Sequence, residues 1–212
     1  MSTMIICAGR SLLPAPGKYD SAGFDAAVRE MSASHCPPYN GKKFNPEGKI
    51  VLIGEGTPAM DTAKKILLPC EWSVDSLLNE IPIRSFTDTE RSFTSRQWIN
   101  KAAAQRKRGD ARQPESLAEV RARADKLIKK ISSEDYILVT YPEFISVLLD
   151  RLRVKDFVVQ RTGFMGIKPF EWFVVSEKEA HCGGCQHNCF LSNPGCGVGR
   201  DKAVRKGVPF TK

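Results

Sequence analysis

The chain has 212 residues, a hydrophobic fraction of 42% and a net charge of +8, a length and composition that suit one packed domain with an appendage and argue against two full domains. No apolar run approaches the roughly 18 residues that span a bilayer, and no basic segment followed by an apolar run opens the sequence. Membrane insertion and export are therefore not expected, and the expected location is cytoplasmic. In a reducing compartment the seven cysteines do not read as a disulfide framework, and four of them crowd into the C-terminal region. Half of the charge excess is local to 181–212, where Arg200, Lys202, Arg205, Lys206 and Lys212 face Asp201 alone. The other basic run, Arg106-Lys107-Arg108 beside Gly109, reads as a solvated turn, with an anion or nucleic-acid contact as the alternative.

In chain order, the short apolar run MIIC (4–7) predicts a buried strand that opens into a loop at Ala8, Gly9, Arg10 and Ser11. SAGFDAAVREM (21–31) follows with Phe24, Ala27, Val28 and Met31 at helical spacing. Strand KIVLIG (49–54) runs into the helix TPAMDTAKKILL (57–68), with Thr57 expected as N-cap, Pro58 in the first turn and Pro69 as terminator. ESLAEVRARADKLIKKI (115–131) predicts an amphipathic helix opened by a capping box from Ser116 to Glu119. Strand YILVT (136–140) leads into helix PEFISVLLDRL (142–152), where Thr140 and Glu143 suggest a second capping box. DFVVQ (156–160) and EWFVV (171–175) close the series as strands. Alternation of this kind predicts a three-layer α/β/α sandwich with a mostly parallel sheet covered on both faces. A compositional break near Glu179 divides an α/β domain, 1–178, from a Cys-rich basic tail, 179–212.

The segments DTAKKILLP (61–69), LLNEI (77–81), PESLAEVRARA (114–124) and YILVTYPEFISVLLDRL (136–152) resemble, in order and spacing, segments of the histidine phosphatase superfamily. The likeness spans about 1–175 and implies the phosphoglycerate mutase-like fold. It also implies where that family's chemistry would sit. A histidine takes the phosphoryl group in an Arg-His-Gly motif at the end of the first strand, and arginines and a second histidine neutralise the phosphate oxygens. Here the motif falls on Cys7-Ala8-Gly9, followed by Arg10 and Ser11; the second arginine falls on Pro58, and the second histidine on Tyr141. None of these side chains supplies the required group. Glu80 and Glu115 are the polar pocket residues that the resemblance retains. Cys7 does not replace the nucleophile, because Leu13 stands where a cysteine phosphatase needs its arginine; Asn188 excludes Cys182 on the same ground.

A loop with its nucleophile deleted can still hold an anion through Arg10 and the backbone N–H groups of Gly9, Arg10 and Ser11. Lys18, Tyr19 and the stretch HCPPYNGKKF (35–44) are expected to roof that mouth. The expected function is a pseudoenzyme: a histidine-phosphatase-like protein that binds a phosphorylated small molecule or protein, or serves as a scaffold. The alternatives are a divergent phosphatase with a reshaped pocket, or a nucleic-acid or protein-interaction module working through the tail. In that tail the cysteines follow C-x2-C-x3-C-x6-C, and the turn Asn193-Pro194-Gly195 can bring the last one back. The expectation is a four-thiolate metal site of Cys182, Cys185, Cys189 and Cys196, with His181 or His187 as a substitute ligand. Zinc is the expected ion and an iron–sulfur cluster the alternative.

Overall fold

A computed structural model of the chain describes residues 2–10, 13–155, 157–161, 166–177, 189–191 and 193–206. They fall into two compact units, Met1–Ser176 and Glu177–Lys212. The elements run β1 (Ser2–Cys7), β2 (Lys18–Tyr19), α1 (Ser21–Ala33), β3 (Ile50–Ile53), α2 (Thr57–Ile66), β4 (Ser73–Val74), β5 (Phe93–Thr94), α3 (Ser95–Arg108), α4 (Leu117–Ile131), β6 (Tyr136–Thr140), α5 (Pro142–Val154), β7 (Phe157–Arg161), β8 (Trp172–Glu177) and α6 (Gly197–Lys206). A single 3-10 turn, Ser76–Leu78, follows β4. Among the described residues no helix is long and apolar enough to cross a membrane.

The main sheet has the order β4-β3-β6-β1-β8-β7. β4, β3, β6 and β1 run parallel, and β8 is antiparallel to β1. Strand alternation divides the core in two. Ile5, Cys7 and Leu138 face Val120, Leu127, Phe144 and Leu148 of α4 and α5. Ile6, Ala8, Ile137 and Val139 face Ala59, Ala63 and Ile66 of α2. The sheet is thus a middle layer between helices, because every residue of β6 is buried and needs an apolar partner on each side. Parallel pairing also brings the carboxyl ends of β1, β3 and β6 to one edge.

Helix boundaries follow local chemistry where hydrogen bonds are local. The capping box of α4 forms: Ser116 Oγ accepts from Glu119 N at 3.2 Å, and Glu119 Oε2 accepts from Ser116 N at 2.7 Å. The second expected box does not. Thr140 Oγ1 donates to Leu78 O at 2.5 Å, and the N-cap of α5 is Tyr141, without a side-chain bond. Thr57 is likewise the first residue of α2 instead of its cap; that position is Gly56, at φ 100°, where only glycine sits without strain. The helix ends at Ile66, before Pro69, because Leu68 N donates to Phe44 O.

Arg106-Lys107-Arg108 is the last turn of α3, with Gly109 as its left-handed cap at φ 73°. This helix buries only Ser95, Trp98 and Ala102, so its apolar period is weak. Its sequence signal is the capping box of Thr94 and Gln97. Lys18 and Tyr19 pair with β5, and Trp98 Nε1 donates to Tyr19 O at 2.8 Å.

Replacing Ser116 with Ala removes one reciprocal cap from α4. Urea unfolding is expected to show a loss of about 1 kcal/mol with an unchanged denaturant slope.

Candidate functional site

At the carboxyl end of β1 the N–H groups of Cys7, Ala8 and Gly9 are all engaged. Cys7 N donates to Glu171 O, and Ala8 N to Thr140 O, both at 2.7 Å. Gly9 N donates to Thr62 Oγ1 at 2.7 Å, so it is not offered to an anion. Phe170 N donates to Cys7 O at 3.2 Å. Phe170 sits at φ 62°, a left-handed conformation unusual for a bulky residue, and its ring covers Gly9: a Cβ added there would overlap Phe170 Cζ. Tyr39 packs on that ring with centroids 4.8 Å apart.

Arg10 Nη1 donates to the His35 carbonyl at 3.0 Å, and His35 Nδ1 bonds Asp61 Oδ2 at 2.7 Å. Cys36 Sγ donates to Pro58 O at 3.2 Å. The 35–44 stretch thus meets Arg10 through His35 and the ring over Gly9 through Tyr39. Ser11 lies outside the described residues. Ala8 is fully buried, and burial drives the Cys7 thiol far above its usual range, with Glu80 and Glu171 adding to the effect. A neutral buried thiol is a poor nucleophile.

The open space lies beside that strand end. A cavity of about 480 Å³ opens at the carboxyl ends of β3 and β6. Val28, Ile81, Ile83, Ile99 and Ala103 supply apolar wall, and Arg29, Glu55, Glu80, Arg106, Tyr141 and Glu143 supply polar groups. Glu80 and Tyr141 thus meet in one place, while Ala8, Gly9 and Arg10 do not line it. Tyr141 donates its hydroxyl to Glu55 O, and burial, then the Glu80 carboxyl, push the phenol well above its usual range.

Glu80 as a residue is half-buried, but its carboxyl is enclosed. Oε1 accepts from Ile81 N at 2.9 Å, and Oε2 is buried without a partner among the described residues. Burial raises this carboxyl from 4.5 to about 8, Glu143 adds to the rise, and the Ile81 N–H, Arg106 and Arg123 oppose it. Arg106 turns inward from α3, unlike Lys107 and Arg108, which are exposed. Its Nη2 donates to Pro82 O at 2.8 Å, and its Nε is buried without a partner among the described residues. Burial holds its guanidinium below the usual range, against Glu143, Glu80 and Glu115.

Glu115 does not line the cavity. It pairs with Arg123 through two bonds of 2.9 Å, and Arg123 donates to Leu77 O and Asn79 O at 3.1 and 2.7 Å. The pair braces the turn that carries Glu80. Arg29 is a cavity residue that the sequence reading did not name, whereas Arg106 stood in the basic run for which an anion contact was the alternative, and Glu143 only in the expected capping box. No histidine or cysteine lines the cavity among the described residues. It brings together a carboxyl that burial holds neutral, a guanidinium and apolar walls.

In the tail, Cys182 and Cys185, with His181 and His187, lie outside the described residues. Cys189 and Cys196 are half-buried. Cys196 starts α6, its Sγ accepting from Gly199 N at 3.3 Å and its carbonyl from Arg200 N at 3.1 Å. Among the described residues no group of three histidine, cysteine or acidic side chains could hold a metal.

No family model matches the chain. No curated protein matches it either. Among solved structures, it is similar to a mutant of phosphoserine phosphatase from Entamoeba histolytica in complex with phosphoserine, at 15% identity and TM-score 0.41, over 72% of this chain and 80% of that one. It is also similar to the product of open reading frame Rv3214 from Mycobacterium tuberculosis, at 17% identity and TM-score 0.42, over 71% and 79%. Both are likenesses of fold alone.

The enclosed Glu80 carboxyl has a signature in stability. Its folded-state value of about 8 exceeds its ordinary 4.5, so between those values the unfolded chain holds fewer protons at this site. Stability from this group therefore falls as pH rises across that window. Glu80→Gln removes the ionisable group. Relative to the wild type, the variant is expected to gain stability by up to a few kcal/mol on going from the lower to the upper end of the window, as urea unfolding at both pH values would show. Parallel pH profiles would refute the burial of this acid.

Proposed function

We propose that the chain is a histidine-phosphatase-like pseudoenzyme that works in the cytoplasm, binding a small anionic ligand without turning over phosphate esters. The observation that carries this reading is the end of β1. Where the resembled superfamily places its phosphorylated histidine, this chain has Ala8, fully buried, with the adjacent Gly9 N–H bonded to Thr62 and the Phe170 ring over Gly9. Pro58 and Tyr141 stand at two further positions of that chemistry, and both are buried. The cavity beside them keeps a guanidinium and a neutral acid in an apolar enclosure, a combination suited to holding an anion.

Hydrolysis of a generic phosphomonoester such as p-nitrophenyl phosphate is the test. Turnover is expected far below the roughly 1 per second at the low end of ordinary enzymes; a rate at or above that value overturns the reading. Ala8→His is expected to form no phosphohistidine and restore no activity. Position 8 is fully buried, and Pro58 and Tyr141 would still lack the required groups.

For the tail we propose a structural four-thiolate site of Cys182, Cys185, Cys189 and Cys196, holding zinc, with an iron–sulfur cluster as the alternative. The close cysteine spacing supports it, and few large apolar residues follow Phe190, so metal binding would supply folding energy that a core does not. Protein purified without chelator is expected to carry about one zinc per chain. Visible absorption with iron would mark the cluster instead, and negligible amounts of both metals would reject the site.

A further inference from the structure

Helix α3 carries five basic residues and no acid, and its solvent face holds four of them. Arg96, Lys101, Lys107 and Arg108 are all exposed. The arginines Arg112, Arg123 and Arg151 of the same unit pair with carboxylates, but none of these four does among the described residues. The nearest acids in sequence, Glu90 and Asp110, lie before and beyond the helix, and Asp88 is bound by Arg112 at 2.9 Å.

The helix buries Ser95, Trp98 and Ala102 and turns Ile99, Ala103 and Arg106 toward the cavity. The helical period arranges what remains. Arg96 and Lys107, three turns apart, fall on one flank of the outer side, and Lys101 and Arg108, two turns apart, on the other. Asn100 and Ala104, both exposed, run between these flanks. Gln97 lies on the same line, but its amide is committed to the cap, accepting from Thr94 N at 2.9 Å.

This composition selects a partner. Protein interfaces are anchored by apolar or aromatic side chains, and a helix lying on a membrane needs an apolar face to bury; between its cations this side offers Ala104. Single strands of nucleic acid are held by stacking on open rings. Here Phe86 and Phe93 pack on Trp98, and Lys101 Nζ covers them at 4.5 and 4.7 Å from their centroids. Rows of phosphate, in contrast, need only cations. The major groove of B-form DNA, about 12 Å wide, admits a helix with phosphates on both sides of it, whereas that of A-form RNA is too narrow. We propose that α3 docks in the major groove of duplex DNA, with Arg96 and Lys107 on the phosphates of one strand, Lys101 and Arg108 on those of the other, and Asn100 and Ala104 toward the base edges. Phosphate contacts position a helix without reading sequence, so the expected affinity is general. The docking uses no polar group of the cavity and does not depend on a ligand there.

Fluorescence anisotropy of a labelled mixed-sequence DNA duplex of about two helical turns, titrated with the full chain between about 50 and 200 mM salt, tests this. Four phosphate contacts give an expected slope of log affinity against log salt of about −3.6, or roughly a hundredfold loss of affinity over that range. Arg96→Gln, Lys101→Gln, Lys107→Gln and Arg108→Gln combined are expected to remove most of that slope and to weaken binding at least about tenfold at the lowest salt, with an unchanged circular dichroism spectrum. If the combined variant loses helix, the two flanks changed separately decide, each taking about 1.8 off the slope. Arg200→Gln with Arg205→Gln, in the tail, is expected to have the smaller effect. Binding lost in that tail variant and kept in the α3 variants overturns the proposal. Tighter binding of duplex RNA or of single-stranded DNA of the same length overturns it too. So does binding to vesicles of equal phosphatidylserine and phosphatidylcholine but not to DNA, and so does the absence of salt-dependent DNA binding.

Discussion

The parallel ladder of β3, β6 and β1 is the constraint from which the other positions follow. Its register sets Ile5 against Leu138 and Val51 against Ile137, and the alternation of each strand then dictates which helix covers which face. A slip of one residue would exchange Ile137 and Leu138 between layers. The same ladder fixes the edge at which three strands end together, so Gly9, Gly56 and Tyr141 lie near one another although far apart in sequence. Open α/β sheets characteristically bind ligands along such an edge.

What occupies that edge is settled by competition between protein and ligand for the same polar groups. Thr62 takes the Gly9 N–H, Glu55 takes the Tyr141 hydroxyl, and the Phe170 ring takes the space above Gly9. Each contact is ordinary alone. Together they make a closed, partly aromatic surface over Gly9, held from outside by the contact of Tyr39 with Phe170. The free volume lies instead toward α1, α3 and the turn carrying Glu80. Function has to be argued from such a site and not from the fold.

The layer architecture was legible because β1, β3 and β6 are continuous apolar runs and α4 carries both a periodic face and a local capping box. Such signals need only neighbours in sequence. The Thr140 box failed for the opposite reason: the hydroxyl had a stronger claim on it from Leu78 O, a partner 62 residues away. Helix α3 was missed because Trp98 and Ala102 give too little period, and its basic end looked like a solvated turn. Arg106 and Lys107 are indistinguishable in sequence; packing of α3 against the Glu80 turn alone separates the buried guanidinium from the exposed amine. Glu80 and Tyr141 were found through resemblance, and Arg106 only as one of three basic residues in a run that could contact an anion. The lid formed by Phe170 required a left-handed bulky residue that no propensity suggests.

The cavity also explains why an acid and a guanidinium can share an enclosed space without becoming a simple ion pair. Glu80 accepts one N–H bond, from Ile81, and is shielded from water, so desolvation outweighs its attraction to Arg106. Arg106 in turn feels Glu143, Glu80 and Glu115 together, and its Nη2 is already committed to Pro82 O. Sharing weakens its hold on any single carboxylate. The result is a neutral acid beside a cation, with Glu80 Oε2 and Arg106 Nε both buried and unpartnered among the described residues. The half-buried Glu115–Arg123 pair, by fixing Leu77 and Asn79 through their carbonyls, braces the Glu80 turn in the enclosed position on which that protonation state depends.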